Sequence, residues 1–176
     1  MRCWGDNDFG TLGDGTEQDS LTPKFVPNLP NVEEVALGEY TTCARSASNL
    51  WCWGVNEYGE LGSGNMVDSN IPVSVTAPTA FTAIRAGYNT TGGIANGKVF
   101  MWGYNEGGML GDGTTTLKTE PKDSNLPDAT NLALGITHTC ALTSAGKVMC
   151  WGSFAAESVD GGAPPLHLVP QQVDWP

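Results

Sequence analysis

Residues 102–114 read WGYNEGGMLGDGT, residues 53–65 read WGVNEYGELGSGN and residues 4–16 read WGDNDFGTLGDGT. The stretch recurs every 49 residues, and a fourth pair at Trp151-Gly152 keeps the interval. Leu12-Gly13, Leu61-Gly62 and Leu110-Gly111 step by the same 49, as do Pro23, Pro72, Pro121 and Pro170. Val26, Val75 and Val173 stand three residues behind their prolines. A fixed period of this length marks one supersecondary unit copied along a chain. It also sorts the residues. Those on the period are candidate scaffold, and those off it are candidates for individual function.

The unit reads as all-β. Short apolar runs at 24–29, 32–37, 41–46 and 50–55 predict four strands, interrupted at Gly38, Asn49 and 59–64 by residues that favour turns. Nowhere do apolar residues hold helical spacing long enough for a useful helix. Four strands in about 50 residues predict a propeller blade, since a β-helix coil is far shorter and a sandwich does not repeat at this length. The expected fold is a partial β-propeller of about three and a half four-stranded blades, one domain over residues 1–176. Its units are repeat 1 at 5–53, repeat 2 at 54–102, repeat 3 at 103–151 and a divergent partial repeat 4 at 152–176. Trp4, Trp53, Trp102, Trp151, Gly54, Gly103 and Gly152 are the expected scaffold, with the tryptophans packed between blades. Met1-Arg2 runs straight into a strand pattern, and the partial unit ends abruptly, so a piece of a longer chain is expected. An open half-propeller leaves edges and apolar faces bare. The remaining blades of the same propeller, or self-association, are expected to cover them.

Hairpin registers can be counted from the turns. Asn96-Gly97 tolerates positive φ at both positions and sets Gly92 opposite Met101. A two-residue turn at Ala47-Ser48 sets Cys43 opposite Cys52, and a three-residue turn at Ser144-Ala145-Gly146 sets Cys140 opposite Cys150. The middle unit loses both cysteine positions together, to Gly92 and Met101, as the two halves of a disulfide are lost. Opposed strand residues have Cβ atoms about 4.5–5.5 Å apart, close to disulfide geometry. Cys43–Cys52 and Cys140–Cys150 are therefore expected disulfides, with Cys3 unpaired because its partner position falls before Met1. The alternative is small buried thiols in a reduced protein. Zinc would need a close Cys-x-x-Cys pair and has only His138 and His167 to add. Disulfides imply an extracellular, periplasmic or cell-surface location. Asn89-Thr90-Thr91 is a glycosylation sequon.

Gly135-Ile-Thr-His138-Thr-Cys-Ala-Leu142, followed by Gly146-Lys-Val-Met-Cys-Trp151-Gly152, resembles the regulator of chromosome condensation repeat. Asn56–Gly62 and Asn105–Thr114 resemble its N-x-x-G-x-L-G segment. The likeness covers nearly the whole chain and fades after Gly152; the cysteine hairpins resemble secreted or surface members, often microbial. It implies a parent propeller of about seven blades. The family's functions do not carry over together. Chromatin docking needs clustered cations, and this chain has 8 basic against 19 acidic residues, net −11, with no basic run. Neither nucleic-acid binding nor membrane insertion is expected. Ultraviolet sensing in a plant branch follows a G-W-R-H-T motif, where this chain has Gly38-Glu-Tyr-Thr-Thr and its counterparts.

Asp14 and Asp112 sit in matching Gly-Asp-Gly-Thr segments, with Asp6, Asp8 and Glu106 near enough in sequence to suggest calcium. The spacing departs from a calcium loop, with Gly10 at a ligand position, and aspartate beside glycine closes turns through local bonds. His138 reads as a packed scaffold residue and His167 as isolated in the tail. No catalytic, cofactor or metal residue is expected. The candidate partner-binding residues are Tyr58 and Tyr104 with Glu57 and Glu106, off-period aromatics and acids on the same loops. Trp51, Tyr40, Tyr88 and Trp175 also vary the pattern, and Asp8 and Glu60 complete an expected acidic rim. The expected function is a non-catalytic extracellular or surface scaffold for protein–protein recognition. Two alternatives remain open: a structural repeat segment of a surface filament or adhesin, and a propeller-based carbohydrate-active enzyme, which needs a carboxylate pair in a central pocket.

Overall fold

The turn and strand signals resolve, in a computed structural model describing residues 1–77, 79–154 and 165–173, into strands alone. β1 (Arg2–Gly5) pairs with β2 (Ser20–Phe25) in a two-stranded sheet. β3 (Glu34–Leu37), β4 (Thr41–Arg45), β5 (Leu50–Gly54) and β6 (Ser69–Ser74) form the first four-stranded blade. β7 (Ala83–Ala86), β8 (Thr90–Ala95), β9 (Lys98–Gly103) and β10 (Lys118–Asp123) form the second. β11 (Ala129–Leu134), β12 (His138–Thr143), β13 (Val148–Ser153) and β14 (Leu166–Gln172) form the third. Each blade is an antiparallel meander, and together the sheets make three and a half blades of a β-propeller. No helix among the described residues is long and apolar enough to cross a membrane.

The blades do not follow the Trp-to-Trp units. The half-blade lies at the N-terminal end, in β1 and β2, and not in 152–176, where Leu166–Gln172 instead completes the third full blade. The run at 24–29 overlaps β2, which belongs to the sheet before β3. Each blade's fourth strand comes from beyond the glycine-rich loop, as β6, β10 and β14. These strands have only intermediate and exposed positions, none buried, and carry Pro72, Pro121 and Pro170, so they lack an apolar alternation to read. Proline recurs there because an outermost strand has a side on which no ladder N–H is needed.

Two interlocks explain the 49-residue clock. The Trp53 indole N–H donates to the Thr11 carbonyl at 2.8 Å, Trp102 to Glu60 at 2.7 Å and Trp151 to Met109 at 2.8 Å. Thr42, Thr91 and Thr139 hydroxyls donate to the same three carbonyls. Each indole therefore reaches from one blade into the loop of the blade before. There it lies against the glycine of Leu-Gly: a Cβ on Gly62 would stand 2.8 Å from Trp102 Nε1. The scaffold reading fails at Trp4, which is 62% exposed where Trp53, Trp102 and Trp151 are fully buried. On the inner edge, Glu34 of β3 binds Arg85 of β7 at 2.8 Å, and Arg85 reaches Asn131 of β11 at 3.2 Å.

An aromatic loop face with an acidic border

The loops at one end of the blades are held by the second member of each interlock. A Cβ on Gly103 would fall 2.5 Å from the Asn89 carbonyl, and the residue has φ +97°, so glycine alone fits. Tyr104 N–H then donates to that carbonyl at 2.9 Å, as Val55 does to Tyr40. The β3–β4 type loops and the long loops after β5 and β9 are thereby locked together at the same end. Asn7, Asn56 and Asn105 organise the long loops from inside. Each is fully buried; its amide N–H groups donate to carbonyls nine and eleven residues ahead, and its carbonyl accepts the N–H five residues ahead. The asparagines keep the 49-residue interval, the one signal that would have set them apart from ordinary turn residues.

On these fixed loops the aromatics meet. Phe9 packs edge-on to Tyr40 at 4.7 Å and Tyr40 to Tyr88 at 6.4 Å, while Tyr58 packs edge-on to Tyr104 at 5.0 Å. A shallow pocket of about 240 Å³, lined by Tyr58, Tyr88, Asn89, Tyr104, Met109 and Ile136, joins the two groups. Glu39, Glu57, Glu106 and Asp8 stand exposed around them. The Tyr104 hydroxyl donates to Glu106 at 2.8 Å, and that bond holds its pKa above the usual tyrosine range. Hydrogen bonding to Glu39 does the same for Tyr40. The four candidate residues Tyr58, Tyr104, Glu57 and Glu106 thus lie on one face, joined by Phe9, Tyr40, Tyr88 and Ile136. Trp51 lies elsewhere, half-buried on β5 against Ala44 and Val26, and Trp175 falls outside the described residues.

Glu60 departs from the expected rim. It is 2% exposed; Oε2 accepts the Tyr58 N–H at 2.8 Å, and Oε1 has no hydrogen-bond partner among the described residues. Burial pushes its pKa up, with the nearby Asp68 and Glu57 charges adding to the effect. The matching positions hold Thr11 and Met109, so neither period nor polarity announces a buried acid here. His138 is exposed and not buried in the scaffold, and its ring meets Phe154 at a tilt, 5.3 Å between centroids. His167 is not isolated: it pairs with Gly152 across the sheet and meets Phe154 at 5.4 Å.

Asp14 and Asp112 close their turns. Each Oδ1 accepts the N–H and hydroxyl two residues ahead, from Thr16 and from Thr114. The Thr16 hydroxyl bond is the main cause of Asp14's lowered pKa. For Asp112 burial opposes ionisation, but the bonds from Thr114 and Lys118 outweigh it. Asp6, Asp8 and Asp19 bring carboxylate oxygens within 4.8 Å of one another, all exposed. Two of these acids are engaged in turn bonds, Asp19 with the Asn7 N–H and Asp6 with the Asp8 N–H.

Disulfides join Cys43 to Cys52 and Cys140 to Cys150, and Cys3 is free. Burial raises the pKa of the Cys3 thiol. Asn89 is half-buried in the aromatic pocket, and Thr91 of its triplet is buried on the Glu60 carbonyl.

The family model of the regulator of chromosome condensation (RCC1) repeat matches residues 3–45, 48–94 and 96–142. Comparison with curated protein sequences gives no match. Among solved structures, human WBSCR16 is similar at TM-score 0.82 and 19% identity, over 97% of this chain and 46% of that one. Yeast RCC1 (Prp20), solved bound to Kap60, is similar at TM-score 0.53 and 20% identity, over 99% and 57%. Prp20p from Saccharomyces cerevisiae, described with its binding properties to Gsp1p and histones, gives TM-score 0.54 and 19% identity, over 99% and 59%. This chain thus spans roughly half the length of each, and at such identities the likeness is one of fold.

Proposed function

The chain belongs to the regulator of chromosome condensation repeat family, and from that premise we propose that it is a non-catalytic propeller scaffold for protein–protein recognition. The aromatic loop face carries the reading. Rigid tyrosines offer large contact area at small entropic cost, and they are the residues that dominate interfaces. The pocket among them is lined by tyrosine, asparagine, threonine, methionine and isoleucine, without a carboxylate or imidazole, which suits contact better than proton transfer. The exposed acids select the partner: a segment rich in lysine or arginine, drawn by charge and seated on ring faces. Structural neighbours whose names record protein partners are consistent with this use of the fold. Two disulfides support a compartment outside the reducing cytosol. Asn89 lines the pocket, so a glycan on it would cover part of the face and compete with the partner.

Phosphate ligands fit poorly. Arg45 pairs with Glu33 and Glu34, Arg85 with Glu34, Lys98 with Asp123 and Lys118 with Asp112, so these cations are spread and already engaged.

The test is a titration of a fluorescent Lys/Arg-rich peptide against the chain, with a Glu-rich peptide as control. Binding of the basic peptide is expected, weakening with salt and falling about tenfold or more in Tyr88→Ala. Equal binding of the two peptides, or indifference to Tyr88→Ala, would contradict the assignment.

A further inference from the structure

The third repeat holds one of its own lysines in a cradle of oxygens. Lys118 Nζ donates to the Thr116 carbonyl at 2.9 Å and to the Thr114 hydroxyl at 3.2 Å, and it stands 3.1 Å from Asp112 Oδ2. Three acceptors thus surround a group that carries three N–H donors. Lys118 is the first residue of β10, just beyond the glycine-rich loop.

Two repeats earlier the same cradle is built from Asp14, Thr16 and Gln18. Asp14 Oδ1 accepts the Thr16 N–H at 3.0 Å and the Thr16 hydroxyl at 2.7 Å, the same two distances as between Asp112 and Thr114. From below, Asn7 Nδ2 donates to the Thr16 and Gln18 carbonyls at 3.0 and 3.2 Å, as Asn105 does to Thr114 and Thr116 at 3.0 and 3.1 Å. Only the cation differs. β2 begins with Ser20 where β10 begins with Lys118, and the Ser20 hydroxyl turns away to the Thr22 carbonyl at 2.8 Å. Lys24 on β2 stands at the position of Lys122 on β10, and among the described residues neither forms an ion pair with the cradle acid. The middle repeat carries Ser63 and Asn65 at the acid and threonine positions, so its cradle has no charge. Beside the first cradle, Asp8, Phe9, Glu17, Asp68 and Ile71 line a concavity of about 520 Å³. Phe9 is also the ring that begins the aromatic face, against Tyr40.

We propose that Asp14 Oδ2, the Thr16 hydroxyl and the Gln18 carbonyl bind the ammonium of a lysine carried by a protein partner, as their counterparts bind Lys118. This rests on the recognition of a basic segment at the aromatic face, and it names lysine as the residue read at the border of that face. The concavity takes the lysine stem along Phe9 and Ile71, and the acids around it draw the charge in. An arginine fits worse, because its planar fork is made for a carboxylate and not for three converging oxygens. Calcium would need six or more oxygens at about 2.3–2.6 Å, and this cradle offers three, set at hydrogen-bond distance from an ammonium.

The experiment compares a Lys-only with an Arg-only peptide of equal length and charge on the chain and on three variants. The Lys peptide should bind the parent about fivefold or more tighter than the Arg peptide. Asp14→Asn keeps the turn bond to Thr16 and should bring that ratio to about one, while Tyr88→Ala weakens both peptides and leaves the ratio standing. Ser20→Lys plants in the first repeat the lysine that the third repeat has. It should erase the preference and melt about 2–4 °C above Ser20→Gln, a gain that Asp14→Asn removes. A preference that survives Asp14→Asn, or equal melting of Ser20→Lys and Ser20→Gln, would overturn the proposal. So would calcium chloride that raises the Tm of the parent but not of Asp14→Asn, which would make the cradle a metal site. If neither peptide binds the parent, the recognition reading fails, and the Ser20→Lys melting still decides whether the cradle takes an ammonium.

Discussion

At the residue scale, the repeat is an agreement between one indole and one glycine. Gly62 has φ +65° and faces the Trp102 ring edge, so a Cβ there brings both backbone strain and a clash. Gly146 has a similar φ of +77° but nothing within 4 Å of an added Cβ. Gly146→Ala should therefore cost about 1 kcal/mol, the left-handed strain alone. Gly62→Ala should cost about 1–3 kcal/mol more through overpacking, read by chemical denaturation of both variants. Glu60 makes a second test. Its folded pKa is raised, so the folded chain holds a proton that the unfolded chain releases. Stability is greatest below the ordinary glutamate range and falls as pH rises from there through the folded pKa. Glu60→Gln keeps the Tyr58 bond and cannot ionise. It should match the parent at low pH and become progressively more stable than it above the ordinary glutamate range; parallel stability–pH curves would refute the buried acid. Trp102 and Gly62 were legible in the sequence because they repeat. Glu60 was not, because its burial depends on which way a loop of neighbouring charges turns.

Among the elements, the disulfides show what a hairpin needs. Cys43–Cys52 and Cys140–Cys150 tie the second and third strands of their blades. The middle blade has no such tie; there a Cβ on Gly92 would lie 2.4 Å from the Met101 sulfur, so the methionine fills the space a disulfide takes elsewhere. Closing a loop of about ten residues is worth roughly 2–3 kcal/mol on the chain-entropy model. Cys43→Ala/Cys52→Ala should lose about that much in equilibrium unfolding, while reductant should leave the stability of the double variant less changed than that of the parent. The hairpins were readable from their turns, since Asn96-Gly97 and Ser144–Gly146 fix the register. The outer strands β6, β10 and β14 were not, because an edge strand with no fully buried position and an internal proline lacks the apolar-in, polar-out alternation of a strand with one face in the core.

Across the whole molecule, the repeat builds a rigid frame that carries its variation at one end. The interlocked loops place Phe9, Tyr40, Tyr88, Tyr58 and Tyr104 together, although they come from different repeats. The opposite end carries the hairpin turns at Asn96-Gly97 and Ser144–Gly146, which set the register and anchor the segment leading into β11, through Ala129 N–H on the Gly97 carbonyl and Ser144 N–H on the Asp128 carbonyl, each at 2.8 Å. Hydroxyl-radical footprinting of the chain with and without the Lys/Arg-rich peptide separates these surfaces. Recognition by the aromatic face predicts protection of Tyr40, Tyr88, Tyr58, Tyr104 and Ile136, with the far turns and Trp4 unchanged. Protection confined to the far turns, or to Trp4, Val35 and Leu37 on the open half-blade, would contradict it.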